Sequence, residues 1–578
     1  MDNWPSTKEG RAMARLDDVR DRLLADRRGE ITSTVPMLAD MGQDGGPSPG
    51  TMGTRRRSED EPKKSQATLL IELAADLEAF HDPDHNGYAV VADAVAARVL
   101  PIRSQDFKRW LAGRFYETEG RGCNSNAIAD ALNTIEARAL HDGRERPVFL
   151  RVANLNGRIY LDCCDPGWRV IEIDTDGWRV LDRSPVAFIR KRGNLPLPVP
   201  EPGGSVEALR PFLNIAPADF PLVVGWVLAA LRGKGPYPVL VLQGEQGTGK
   251  STLCRVLRAF VDPSTAALRS PPREVRDLLV SALNAWVPCL DNLSGLAPEF
   301  SDALCRLSTG GALDARALYT DTDQVLVEVQ RPVLVNGIDE IATRPDLAER
   351  AIVLNLPVID PEARRQESGF WTEFEAAKPR IFGAILDALA GALRMAPSVH
   401  LSRLPRLGDF AVWVTAAEQA LGWHPNTFMA AYWENQRHAI EAGIEASPVG
   451  STLVAHMEGR TSWIESPTEL LATLSDLAGP LAKSRAWPQS PKGLKNALVR
   501  LAPSLRKVGI TWTQEEGHAR RYQITQAPPQ PPQPPTDSTE PTAGAASSGF
   551  CADRGGWGGY SGACVNAGEN GPDSEGEL

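Results

Sequence analysis

Apolar residues change their spacing several times along this chain, and each change predicts a change of element. Residues 1–66, which include "MGQDGGPSPGTMGTRRRSEDEPKK", have little apolar periodicity and are rich in Gly, Pro, Ser and mixed charge. They predict a disordered N-terminal segment, apart from a short helix near residues 10–26. From residue 67 the run "ATLLIELAADLEAF" has helical spacing. It gives way to "PVFLRVA", "RIYLDCC", "WRVIEI" and "GWRVLD", punctuated by Gly, Asp and Asn, which predict strands. The sequence GWRV occurs twice, at Gly167 and Gly177, and predicts a short antiparallel meander. Residues 67–205 thus read as an α+β domain of open role.

Residues 206–360 have an α/β rhythm. The apolar run "YPVLVLQ" (237–243) predicts a buried strand, and "LCRVLRAF" (253–260) predicts a helix with Leu253, Leu257 and Phe260 on one face. "AWVPCL", "RPVLVNGID" and "AIVLNL" predict further strands. Residues 361–450 are helix-rich and predict a lid or linker, with Trp and Phe at helical spacing as core. Residues 451–526 predict helices followed by the hairpin "TWTQ"/"RRYQIT", the pattern of a winged helix. The Pro-rich, then Gly/Ser-rich tail, 527–578, predicts a disordered linker or interaction segment.

At 578 residues the chain is too long for one core. Its 42% hydrophobic and 23% charged residues are those of an ordinary globular protein, and its net charge of −11 argues against a uniformly basic nucleic-acid coat. The longest apolar run, Phe220 to Leu231, is too short to span a bilayer, and the N-terminus has no apolar signal core. A cytoplasmic protein without membrane contact is expected. The eight cysteines form no C-x-x-C and read as structural thiols, with Cys163 and Cys164 on opposite faces of a strand.

"DPDHNGYAVVAD" places Asp82, Asp84, Asn86, Gly87 and Asp93 at the spacing of a calcium loop, but Pro83 and the short closing carboxylate favour a helix-ending Asp/Asn/Gly turn. "GEQGTGKST", Gly244, Glu245, Gln246, Gly247, Thr248, Gly249, Lys250, Ser251 and Thr252, is more specific. It is G-x-x-x-x-G-K-[ST] between a strand and a helix, where backbone N–H groups and the helix N-terminus favour phosphates. Lys250 is expected to reach the β/γ-phosphates of ATP, and Ser251 to ligate Mg2+. Asp291, ending "AWVPCL", is the candidate second magnesium ligand, although "DN" after a core strand also suits a turn. Asn336 is a candidate γ-phosphate sensor, and Arg344 and Arg350 are candidates to stabilise phosphoryl charge.

In this order the motifs resemble the superfamily 3 helicases of phage and plasmid replication, the D5-like or P4-like ATPases in particular, most closely over residues 206–360. The order is Gly244–Thr252, Asp291, Leu304–Leu318, Asn336 and Arg350. The resemblance implies a P-loop AAA+-type core, a homo-hexameric ring with ATP between subunits, and DNA in a central channel. It also implies Arg350, rather than Arg344, as the finger, and a replication polymerase or primase as partner. It makes Arg316 the candidate channel contact, although this chain has no lysine between Lys250 and Lys378. A second acid after Asp291 is replaced by Asn292, which is expected to orient the water; Glu299 is an alternative base.

Residues 483–521 hold nine Lys/Arg against Glu515 and Glu516. Lys492, Lys495, Arg500, Arg506, Lys507, Arg520 and Arg521 are therefore candidate DNA contacts. The expected activity is an ATP-dependent DNA helicase of a mobile element. A non-translocating ATPase and an ATP-assembled DNA-binding initiation factor are the alternatives. Asp162, Asp165, Asp174 and Asp176 leave a primase-like site open in residues 67–205.

Overall fold

The structure is a computed structural model that describes residues 64–92, 96–316, 324–338, 340–515 and 521–527. The expectations for residues 1–63 and 528–578, and for Asp93 and Arg520, lie outside these residues.

After a helix at Gln66–Glu72, strands β1 (Glu78–His81), β2 (Gly87–Ala92) and β3 (Ala97–Pro101) form an antiparallel sheet. Helices Gln105–Glu119 and Ser125–His141 cover it, capped by the Ser104 and Asn124 side chains. The helical pattern expected over 67–80 therefore stops at Glu72. Phe80 is buried against Tyr88 across the β1–β2 pair, and this tertiary pairing outweighs helix propensity. The 82–87 segment is a turn between strands: Asp82 accepts from the Asn86 amide at 2.8 Å and the Tyr88 hydroxyl at 2.9 Å.

β4 (Val148–Phe149) pairs in parallel with β9 (Ala187–Phe188). Between them β5 (Val152–Leu155), β6 (Arg158–Asp162), β7 (Val170–Asp174) and β8 (Gly177–Leu181) form a four-stranded antiparallel meander in chain order. Cys163 and Cys164 follow β6 instead of lying in it. Cys164 is left-handed (φ 50°), and its thiol donates to Asp162. Both cysteines are buried and free.

β10 (Val239–Gln243), β11 (Cys289–Leu293), β14 (Leu334–Gly337) and β15 (Ala351–Asn355) make a parallel sheet in the order β11-β14-β10-β15. β12 (Ala312–Arg316) and β13 (Gln324–Glu328) form a separate antiparallel hairpin. "VLVL" (239–242) is continuously apolar because both faces of β10 are covered. Leu240 and Leu242 pack with helix Lys250–Val261 and the meander's inner face. Val239 and Val241 pack with helices Val275–Asn284 and Pro298–Thr309.

Helices Phe220–Ala230, Glu367–Met395, Gly408–Ala417 and Thr427–Glu445 extend the first of these cores. Their aromatic residues are largely core, with Phe410, Phe428 and Tyr432 in mutual contact. Among the described residues one stretch, Glu367–Ser398, is long and apolar enough to cross a membrane. Phe374, Ile381, Phe382, Leu386 and Leu389 bury it in this core instead.

At the C-terminal side, helices Pro448–Met457, Pro467–Ala478 and Pro491–Lys507 pack on a sheet of order β16-β18-β17. β17 (Ile510–Glu515) and β18 (Arg521–Gln526) match the two expected strands, whereas β16 (Ser462–Glu465) was not legible. With four residues, it gains strand character only by pairing with β18.

Candidate functional site

β10 ends at Gln243, and the chain turns through Gly244–Gly249 before helix Lys250–Val261 begins. Gly247 and Gly249 have φ of 85° and 80°, where an L side chain would be strained. Thr248 is fully buried and its hydroxyl donates to the Glu245 carbonyl at 3.0 Å, so the loop is braced from within. Asn214 ties it to the segment after β15 by donating to the carbonyls of Thr248 (3.0 Å) and Pro357 (2.7 Å). Lys250 Nζ curls back onto the carbonyls of Gly244 and Glu245, both at 2.7 Å. Partial burial lowers the Lys250 pKa, and the charge of Asp291 opposes that shift.

Because β10, β11 and β14 are parallel neighbours, their carboxyl ends meet beside this loop. The Ser251 hydroxyl donates to Asp291 Oδ1 at 3.1 Å, and Asn336 Nδ2 donates to the same oxygen at 2.7 Å. Asn336 is 1% exposed; its Nδ2 also lies 3.2 Å from the Cys254 sulfur, and its Oδ1 accepts from the Asn292 amide at 2.9 Å. Burial raises the Cys254 pKa well above its ordinary value, which keeps it a neutral thiol. A Cβ on Gly337 would sit 2.3 Å from the Leu293 carbonyl, so Asn336-Gly337 closes β14 against β11 and is not a free turn.

Asn292 departs from expectation. Its backbone is left-handed (φ 61°), its side chain is exposed, and its amide N–H, not its carboxamide, joins the polar cluster. Glu299 is exposed in the first turn of helix Pro298–Thr309.

A cavity of about 490 Å³ opens on one side of the loop, lined by Gly247, Gly249, Thr252, Ile359, Phe370 and Trp371. Phe370 and Trp371 meet edge to face at 5.1 Å, and Arg365 lies 5.3 Å over the Phe370 ring. These aromatics escape a sequence reading that assigns such residues to the core. The usable signal is the pair "FW" at the start of a helix soon after the last strand. A larger cavity, about 940 Å³, touches the loop only through Gln243, Gly244 and Glu245.

Arg344 and Arg350 lie elsewhere. Arg350 precedes β15, whose other end pairs with Gln243, so about 13 Å of strand separates it from the loop within one chain. It donates to the Asp346 carbonyl at 2.7 Å, while its Nε is buried and has no partner among the described residues. Arg344 is engaged by Asp302 (2.8 Å) and Asp346 (3.2 Å). Asp162 pairs with Arg190, Asp165 with Arg169, and Asp174 with Arg179. Among the described residues no acidic group forms a metal-holding cluster.

On helix Pro491–Lys507, Lys492, Lys495, Arg500, Arg506 and Lys507 fall within an arc of about 140°. The buried Leu494, Leu498, Leu501 and Leu505 occupy the opposite side. Lys495 donates to Gln514 at 3.0 Å, Arg500 to the Asn496 carbonyl at 3.2 Å, and Lys507 to Glu349 at 2.8 Å. Arg521 is exposed at the start of β18. Arg316 ends β12 and pairs with Gln324, at the end of the hairpin where the two strands are connected.

Residues 206–433 match the family model described as actinomycete integrative conjugative element replication protein. Residues 449–540 match the model of that family's C-terminal domain. The two matches together span more than half of the chain. The chain belongs to this replication-protein family. No curated protein is similar enough to match the sequence. Among solved structures, the apo NrS-1 C-terminal region is similar with a TM-score of 0.36 and 13% identity, covering 79% of this chain and 98% of that one. A full-length MCM homolog from Methanopyrus kandleri has a TM-score of 0.25 and 14% identity, covering 61% of this chain and 92% of that one.

Proposed function

We propose that this mobile-element replication protein is an ATP-driven DNA motor of the helicase type, built on a P-loop AAA+-type core with a winged-helix DNA-binding unit behind it. The observation that supports this most is the meeting of Ser251, Asp291 and Asn336 at the carboxyl edge of a parallel sheet, beside a glycine-rich loop and Lys250. The donor set fits Mg2+, because a hydroxyl and a carboxylate 3.1 Å apart offer adjacent hard oxygen ligands. When bound, the ion would neutralise phosphate charge and orient the substrate.

In this reading ATP lies along the loop, and the loop N–H groups take its phosphates. Lys250 exchanges its two carbonyl partners for phosphate oxygens, which bind the ammonium more strongly. The base enters the cavity faced by Phe370 and Trp371, whose rings offer stacking surfaces. Asn336 holds Asp291 in place through one amide hydrogen and so couples the γ-phosphate region to β14. Arg350, far from the loop of its own chain, acts in this reading on the site of a neighbouring copy in a homo-hexameric ring.

The test is magnesium-dependent ATP hydrolysis by the full chain with and without single-stranded DNA, followed by fork unwinding. Stimulation by DNA and unwinding, both lost in Lys250→Ala, are expected. Hydrolysis that ignores DNA and opens no fork would sink the motor reading. A second reading, an initiation factor that uses ATP to assemble, is favoured by the exposed Asn292 where an acid would activate water. Asn292→Glu discriminates the two. If the chain is a slow switch, steady-state hydrolysis rises about tenfold or more, in line with the usual gain from a placed general base; if it is already a competent motor, the rate stays flat or falls.

A further inference from the structure

A groove of about 500 Å³ lies where helix Thr427–Glu445 meets the connector before Gly408 and the end of helix Pro491–Lys507. Four cations line it, Arg403, Arg406, Arg437 and Lys507, against a single carboxylate, Glu349, in a chain of net charge −11. The Trp433 ring is half-buried in the groove, with the Arg403 guanidinium 4.7 Å from its centroid. We propose that this groove binds a single-stranded nucleic-acid backbone and carries it from the basic face of helix Pro491–Lys507 onto the ATPase body.

Three observations favour a polyanion of this kind. The cations are not equally engaged: Glu434 and Glu441 hold Arg437, and Glu349 holds Lys507. Arg403 and Arg406 are both exposed and have no carboxylate partner among the described residues, which leaves two cations for phosphate. Lys507 belongs at once to the groove and to the basic face that also presents Lys492, Lys495, Arg500 and Arg506, so the two surfaces are continuous. An exposed pair such as Lys507–Glu349 is weakly held, and Lys507 can exchange Glu349 for a phosphate. The flat Arg403 guanidinium over Trp433 adds a delocalised surface on which a base can stack. The spread of charge over three chain segments suits a strand running along the groove better than a small anion held at one point.

This inference rests on the reading of the chain as a DNA-acting protein, and the experiment separates the two. Binding of a fluorescent oligo-dT to the full chain is measured without ATP over a range of salt, for wild type and for the doubly substituted Arg403→Ala/Arg406→Ala. Loss of two phosphate contacts is expected to reduce the slope of log affinity against log salt by about 1.4, and to weaken binding about tenfold at 0.15 M salt. Nucleotide binding and melting temperature are expected to hold. Affinity within twofold of wild type, with an unchanged slope, overturns the groove while DNA binding itself stands, the more so if Lys492→Ala/Lys495→Ala lowers both. A wild type that binds no single strand overturns the groove together with the DNA-acting reading. A further variant leaves all four cations in place: Leu404, 62% exposed in the groove, is replaced by the photocrosslinking p-benzoylphenylalanine. Crosslinking to bound oligo-dT is expected, and its absence at saturating DNA counts against the groove.

Discussion

Helix Lys250–Val261 has a polar cluster at each end, and the two are built oppositely. At the N-terminal end, Ser251, Asp291 and Asn336 are linked by few bonds, and Lys250 spends its charge on two neutral carbonyls. At the C-terminal end, Asp262 lies between two buried arginines, accepting from Arg151 Nε at 3.2 Å and Arg258 Nη2 at 3.1 Å, and also from the Val287 amide at 3.1 Å. Arg151 is fully buried and gives three further N–H groups to the carbonyls of Asp162, Leu195 and Pro263. That cluster fastens the meander to the helix, and its groups are engaged with one another and with backbone carbonyls. The difference separates a buried charge network that specifies assembly from a polar cluster whose groups can exchange partners.

Asp262→Ala tests the first half most severely. It leaves two buried guanidinium groups without their carboxylate, and a loss of about 3–5 kcal/mol is expected in urea unfolding. An unfolding midpoint equal to wild type would mean that Arg151 and Arg258 are satisfied without it. Lys250→Ala should do the reverse. Its melting temperature stays near that of wild type, while ATP affinity or turnover falls about 100-fold or more, as for other preorganised charge contacts. Unfolding of that variant would show that the lysine is a structural brace.

Asn336→Ala is expected to be intermediate. Asp291 loses its 2.7 Å donor and the Asn292 amide loses its acceptor, for a cost of about 10- to 100-fold in activity or magnesium affinity. A rate unchanged at saturating magnesium, with unchanged magnesium affinity, would remove Asn336 from the site. Smallest is Glu349→Gln, which breaks the exposed pair with Lys507 beside Arg350. The change in stability should be under about 1 kcal/mol and should vanish at high salt. A larger loss would mean that the C-terminal unit leans on the segment preceding β15.

How much was legible follows from the same comparison. Ser251, Asp291 and Asn336 stand at the ends of apolar strands or directly after a glycine-rich loop, where local pattern alone singles out a polar residue as unusual. Arg151 and Asp262 are 111 residues apart, and neither segment hints that the arginine will be buried. The early end of the helix at Glu72 and the strand β16 have the same origin, since each depends on a partner strand elsewhere in the chain. Phe370 and Trp371 have the spacing of core residues, and only the position of their helix beside Gly247 and Gly249 makes them a cavity wall.

By itself, then, the sequence determined the order of the elements around β10, the loop that can curl only with glycines at positive φ, and the candidate polar residues at strand ends. These are local matters of backbone sterics and hydrophobic period. The tertiary structure alone decided that Asn292 contributes its amide instead of its carboxamide, that Asp262 belongs to assembly, and that the cations of one helix continue into a groove built by another. Each of these depends on desolvation and hydrogen-bond geometry between segments far apart in the chain, where no periodicity carries the information.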